Sequence, residues 1–227
     1  MNTINTIFQS MGIDPWKYLC INMATTGVKK PIGVIEVSGK FGDNDEYFQQ
    51  FISPEDILIP SDLNYAYTRI PRHLYDAEVM DTVDFIVEFV GYMKEKPVDI
   101  VLVNNSWWLT RLAKDPVNRS LFPLFSTIGK PPIFPITAYE TARLAADYTL
   151  FDSLYIESPW ELMDHINKVK KQCPRGISCD IDCAYTNREG PDDAFEYMTV
   201  AQESVKKMVH IWESMLRNNQ AQEQLIR

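Results

Sequence analysis

The stretch KYLCINMA, residues 17–24, constrains the fold most, because it is almost continuously apolar and is bounded by Pro15 and Gly27. That pattern belongs to a strand buried on both faces. Such a strand needs a layer on each side, and the rest of the chain can supply both. KPIGVIEVSGKFG (30–42) and DEYFQQFISP (45–54) read as two further strands around a Gly-Asp-Asn-Asp turn, so the three form an antiparallel meander. AEVMDTVDFIVEFVGYMKEK (77–96) puts Val79, Val83, Ile86, Val87 and Val90 at helical spacing, which predicts an amphipathic helix packed on the sheet.

VDIVLVNN (98–105) is the next strand, followed by helical SWWLTRLAKD (106–115) and NRSLFPLFSTIG (118–129). PPIFPI (131–136) reads as a short edge-side strand, since its prolines cannot donate to a ladder. AYETARLAADY (138–148), PWELMDHINKVKKQ (159–172) and PDDAFEYMTVAQESVKKMVHIWESMLRNN (191–219) read as helices. A meander followed by alternating strands and helices predicts an α/β fold: a mixed sheet whose later strands are parallel, flanked by helices. One domain spanning 1–227 is expected, with a core over about 17–216, a short N-terminal helix and a C-terminal helical tail.

The motif order resembles that of the DnaQ-like 3′-to-5′ exonucleases, an RNase H-like superfamily whose members carry four acidic metal ligands and, in one branch, a histidine. The resemblance runs from Tyr18 to Leu216. Where the family's first strand ends in Asp-x-Glu-Thr-Thr-Gly, this chain has Asn22-Met23-Ala24-Thr25-Thr26-Gly27. FISPEDILIPSDLNYAYTRI (51–70) echoes a segment with Ile-Pro and a later Thr-Gly-Ile, with Arg69 in place of the glycine. YDAEVMDTVDFIVEFVGYM (75–93) resembles the helix before the second motif. In VLVNNSWWLTRL (101–112), Asn104, Trp107, Trp108 and Leu112 match the Asn, Phe, Asp and Leu of that motif. Glu140-Thr141-Ala142-Arg143-Leu144-Ala145 echoes an Asp-Thr-x-x-Leu-Ala helix, and the final His-x-Ala-x-x-Asp falls on Glu196 to Ala201.

The resemblance implies an RNase H-like fold, and the departures from it carry the functional expectation. Two-metal nucleases use carboxylates to hold divalent ions roughly 3.5–4 Å apart, one activating water and the other stabilising the leaving oxygen. Neutral Asn22 and the side chains of Ala24, Trp108 and Ala201 offer no anionic oxygen to magnesium. Glu196, at the histidine position, could accept a proton but would have no metal-held water to activate. No catalytic residue and no catalytic metal are therefore expected, and magnesium or manganese enters only if other acids replace the lost ligands. Asp147, Asp152, Asp180, Asp182, Asp192 and Asp193 are the acids at hand, and acids at helix starts are ordinarily caps.

Thr25, Thr26, Asn104, Trp107 and Trp108 are the candidate pocket residues. The two tryptophans could stack bases, each worth roughly 1–3 kcal/mol; packing is the plainer reading for Trp107, while for Trp108 stacking and the filling of an emptied metal pocket stand level. His165, Cys173, Cys179 and Cys183 supply one histidine and three thiolates, enough for a closed structural zinc site. Their gaps of seven, five and three residues lack the paired Cys-x-x-Cys knuckles of a strong zinc signature, and an ordinary helix histidine with unpaired cysteines outweighs zinc. Cys20 reads as a small core residue.

The net charge of −9 over 227 residues disfavours unaided binding to phosphate backbones. Lys29, Lys30, Lys168, Lys170, Lys171 and Arg175 are the candidate basic patches. The start of the chain lacks a secretory pattern and no run is long enough to span a bilayer, which leads to a cytoplasmic expectation. The function expected is that of an inactive exonuclease-like module that binds a protein from replication, repair or nuclease assemblies. An active metal-dependent 3′-to-5′ exonuclease with relocated ligands and a single-stranded nucleic-acid or nucleotide binder are the alternatives. The polar RNNQAQEQLIR end (217–227) is expected to fray or to extend the last helix towards a partner, and a homo-oligomer is compatible with it.

Overall fold

The computed structural model describes residues 4–44, 46–54, 59–96, 98–145, 159–172, 180–186, 188, 190–191 and 197–225. After a first helix, α1 (Ile4–Ser10), the chain forms the meander: β1 (Tyr18–Thr25), β2 (Val34–Phe41) and β3 (Tyr47–Phe51). Three helices follow: α2 (Tyr65–Thr68), α3 (Arg72–Glu78) and α4 (Thr82–Glu95). Then come β4 (Ile100–Val103), α5 (Ser106–Ala113), a 3-10 turn (Pro116–Leu121), α6 (Phe122–Ile128), β5 (Ile133–Pro135) and α7 (Ile136–Ala145). The chain closes with α8 (Pro159–Gln172), α9 (Ile181–Thr186) and α10 (Val200–Leu225).

The strand order is β3-β2-β1-β4-β5. β1 pairs antiparallel with β2 and parallel with β4, and β4 pairs parallel with β5 at the edge. This is the mixed sheet that the apolar runs predict. β1 is central and buried on both faces, and its alternation divides the protein into two layers. Leu19, Ile21 and Met23 pack with Phe85, Ile86 and Phe89 of α4 and with Leu124, Phe125 and Ile128 of α6. Tyr18 and Cys20 face the other way, into a cluster with Val205, Met208, Val209 and Trp212 of α10. Cys20 is fully buried, as expected of a core residue.

One sequence expectation fails on α4. Val83 and Val87 are 58% and 67% exposed, while Phe85, Ile86 and Phe89 carry the buried stripe. The aromatic side chains remove more apolar area from water than valines do, so they set the helix's rotation. The helix also starts at Thr82, where the Asp81 side chain accepts a hydrogen bond from the Val83 amide at 2.7 Å. Val79 instead ends α3.

α10 also begins later than the sequence suggests. Thr199 caps it: the Gln202 amide donates to Thr199 Oγ1 at 3.2 Å, and the Thr199 amide donates to Gln202 Oε1 at 3.1 Å. This is a reciprocal capping box, written in the sequence as Thr-Val-Ala-Gln. Asp192 and Asp193 lie outside the described residues. The tail continues the helix as far as Leu225.

Buried polar groups fasten α10 to the sheet. Glu213 accepts from the Tyr18 hydroxyl at 2.7 Å and from Lys40 Nζ at 3.1 Å. Nearer the start of the helix, fully buried Glu36 on β2 accepts at Oε1 from Thr199 (2.5 Å), Ser38 (2.6 Å) and Gln49 (2.9 Å). Its Oε2 has no hydrogen-bond partner among the described residues. Burial therefore pushes the Glu36 carboxyl above its usual range, although the three donors oppose the shift.

A carboxyl raised in the folded state favours folding while protonated, and that contribution fades as pH climbs through the folded value. Glu36→Gln removes this dependence. The gain in melting temperature of the variant over wild type should therefore grow with pH, from little at about pH 4, the ordinary carboxylate range, to its maximum in neutral to alkaline buffer. A pH-independent difference would contradict the buried-acid account.

Candidate functional site

The C-terminal half of β1 and the turn after it meet α2, α5 and the start of α10 at a cleft of about 490 Å³. Its lining includes Asn22, Ala24, Trp108 and Ala201, the four positions at which the resemblance places acidic metal ligands. They arrive from three elements. Asn22 and Ala24 stand two apart on β1 and share the α10 face of the sheet, opposite Ser38 and Glu36 of β2 respectively. Ala201 lies in the first turn of α10 and belongs to the same buried cluster as Ala24. Trp108 projects from α5 and packs against the α4 and α6 layer.

None of the four side chains is an acid, so the donor set does not fit a pair of divalent ions. One amide oxygen, two methyl groups and an indole leave magnesium without the anionic oxygens it requires. Among the described residues, no group of three or more His, Cys, Asp or Glu side chains converges to hold a metal. Glu203, Glu140, Asp180 and Asp182 are committed to ion pairs or caps. Glu203, two residues beyond Ala201, pairs with Arg69 at 2.5 Å and also with Lys207. Fully buried Glu140 on α7 accepts from Arg188 at 2.7 Å and from Arg143 at 2.8 Å. Asp180 accepts from the Cys183 amide at 2.8 Å and so caps α9, and Asp182 pairs with Lys207 at 2.5 Å. Asp147, Asp152 and Glu196 lie outside the described residues.

The other candidate pocket residues divide. Thr25 and Thr26 reach the cleft but serve the turn after β1. Thr25 Oγ1 donates to the Gly27 carbonyl at 3.0 Å, and Thr26 Oγ1 accepts from the Gly33 amide at 3.1 Å. Asn104 is held by Thr137, whose hydroxyl donates to the Asn104 carbonyl at 2.8 Å and meets its side-chain oxygen. Asn104 lines a second depression of about 280 Å³, which shares Asn22, Met23 and Trp108 with the cleft. Trp108 thus stands between the two hollows, and its indole lies 5.6 Å from the Arg111 guanidinium carbon. It narrows the cleft without closing it. Trp107 lies on α5, and its side chain is outside the described set.

His165 on α8 and exposed Cys183 on α9 are the described members of the proposed zinc set; Cys173 and Cys179 fall outside. Burial, reinforced by Lys168, holds the His165 imidazole below its usual value. Lys29 and Lys30 are exposed, with Lys29 on the cleft wall, and Lys168 pairs with Asp164 at 2.5 Å.

Sequence reasoning missed the wall formed by Asn64, Tyr67 and Thr68. Its one sequence signal is Arg69, standing where the family motif has glycine. Arg69 adopts φ +56°, as do Leu63 and Asn64 at +51°, so the backbone there keeps a left-handed conformation that glycine takes readily. The Asn64 side chain donates to the Thr26 carbonyl, Arg69 is held by Glu203, and Tyr67 is left 73% exposed on the rim.

No family model matches the sequence, and no curated protein matches it. Solved structures do. A full-length 3′-exonuclease superposes with a TM-score of 0.51 at 14% identity, covering 88% of this chain and 81% of that one. A 3′-exonuclease solved for 3′-end specific recognition of histone mRNA stem-loop superposes at 0.51 and 12% identity, with the same coverage. The chain shares the fold of these structures, an RNase H-like α/β fold.

The left-handed turn makes a quantitative prediction. In a Glu203→Gln background, which removes the ion pair to Arg69, Arg69→Gly should raise unfolding free energy by about 1 kcal/mol relative to Arg69→Ala. Denaturant titration reads the difference. Equal stability of the two variants would contradict a strained conformation at this position.

Proposed function

We propose that this exonuclease-like domain is catalytically inactive and works by binding, with a protein of replication, repair or nuclease assemblies as its partner. The observation that carries the reading is the convergence of Asn22, Ala24, Trp108 and Ala201 on one cleft without a carboxylate among them. A nuclease of this fold stabilises charge with metal ions, and a cleft without a carboxylate at these four positions does not recruit them. What the domain retains is a folded surface whose net charge of −9 favours a protein over a polyphosphate as partner.

A second reading draws on the rim. Tyr67 offers an exposed ring beside Lys29, a pairing that suits one stacked base and one phosphate, and one of the similar structures is described as recognising an RNA 3′ end. Under that reading, single-stranded RNA or DNA binds without cleavage, and binding weakens steeply with salt and on Tyr67→Ala or Trp108→Ala.

The test is degradation of 3′-labelled single-stranded DNA and RNA with magnesium or manganese. Wild type is compared with the Asn22→Asp, Ala24→Glu, Trp108→Asp, Ala201→Asp combination, with both melting curves recorded. Wild type should show no chelator-sensitive cleavage, and a folded restored variant should gain it. Cleavage by stringently purified wild type would overturn the proposal and revive relocated ligands. A strictly monomeric protein that co-purifies with nothing under native conditions would count against the partner.

A further inference from the structure

A groove on the far side of the sheet from α10 has no part in the cleft. It has a volume of about 320 Å³ and runs between β3 and α4. Its wall includes every residue from Glu46 to Gln50. Successive strand residues point to opposite faces, so a wall formed by consecutive residues is the strand's edge and not one of its faces. β3 is the terminal strand of the sheet, and among the described residues no strand pairs with its outer edge between Tyr47 and Gln50. The edge ends at Phe51, whose carbonyl accepts from the Met80 amide at 2.9 Å, and Met80 bridges Ile52. Between those points β3 carries no lysine, proline or bulge, the usual guards of an open edge.

Two further properties define what fits there. The floor is aromatic, formed by Phe41, Phe48, Phe85, Phe89 and Tyr92. Neighbouring rings stand 4.6 Å (Phe41 and Tyr92) to 6.2 Å (Phe48 and Phe89) apart. Phe48 is fixed over Gly39, where a Cβ would come within 2.5 Å of the ring. The rim is acidic: Glu46 and Glu88 line the groove, Asp84 is exposed one turn before Glu88, and exposed Asp43 precedes Asn44 of the wall. Of the nearby cations, Lys96 is paired with Asp43 at 2.8 Å, and Lys40 and Lys206 lie over the Tyr47 ring on the α10 face.

We propose that this groove is a strand-addition site for an extended peptide segment that carries apolar residues flanked by lysine or arginine on one face. Its backbone pairs with the open edge of β3, its apolar side chains enter the aromatic floor, and its cations meet the acidic rim. A second copy of this chain presents the same acidic rim to itself, so charge favours a heterologous partner. The inference stands apart from the inactivity of the cleft and survives if the cleft proves catalytic.

The probe is the fluorescein-labelled peptide Lys-Ser-Val-Ser-Phe-Ser-Lys, whose lysines and apolar residues share one strand face, titrated by anisotropy against the full chain. The expected result is saturable binding that weakens about tenfold or more in the Glu46→Lys, Glu88→Lys variant, whose two sites are exposed and compatible with an unchanged melting curve. An analogue of equal charge with proline in place of the central serine should weaken similarly, because it cannot complete the ladder. The cleft variant Trp108→Ala should bind as wild type. No saturation, equal binding of the proline analogue, insensitivity to the charge reversal, or concentration-dependent self-association that occludes the groove would each overturn the proposal.

Discussion

The seating of α10 against the sheet sets the geometry of everything around it. Trp212 is fully buried and its indole donates to the Pro15 carbonyl at 2.9 Å. Glu213 draws Tyr18 and Lys40 to the same helix, and Thr199 ties its first turn to Glu36. Charges and hydroxyls removed from water are costly unless paired, so these contacts fix the rotation and register of the helix more sharply than apolar packing alone. That register places Ala201 in the cluster that contains Ala24. Asn22, Ala24, Trp108 and Ala201 thereby share one cleft, and none of these side chains carries a carboxylate.

The distribution of acids follows from the same constraint. The chain is rich in carboxylates, yet Glu203 and Glu140 neutralise arginine and Asp180 caps a helix. Glu36 is different. It lies directly across from Ala24 on the neighbouring strand, fully buried, with one oxygen crowded by donors and the other without a partner. Burial favours its neutral form, which suits a structural pin and not a cation ligand.

Much of this was legible in the sequence, for a physical reason. Strands buried on both faces leave nearly unbroken apolar runs, so β1 and β4 could be read directly; turn signals set the first three strands in a meander, and PPIFPI announced an edge strand through its prolines. α2 and α3, at four and seven residues, are too short to show a period. The face of α4 was misread because Val83 and Val87 match helical spacing as well as Phe85 and Phe89 do, and only packing reveals which set the sheet covers. Of the cleft, the β1 positions, Trp108 and Ala201 could be placed by motif order. Asn64 and Tyr67 could not, since they arrive through a left-handed turn whose one trace is an arginine in a glycine's place. The ion pairs of Glu140 with Arg188 and of Glu203 with Arg69 span 48 and 134 residues, beyond any local pattern.

The central claim is that the cleft no longer binds divalent metal, and paramagnetic relaxation by manganese tests it at the atoms concerned. In a titration followed through the Trp108 indole and the Asn22 side-chain amide, the account predicts no selective broadening of either signal at millimolar manganese, only weak effects at scattered surface carboxylates. Saturable broadening of both signals at micromolar metal, reversed by magnesium, would contradict it.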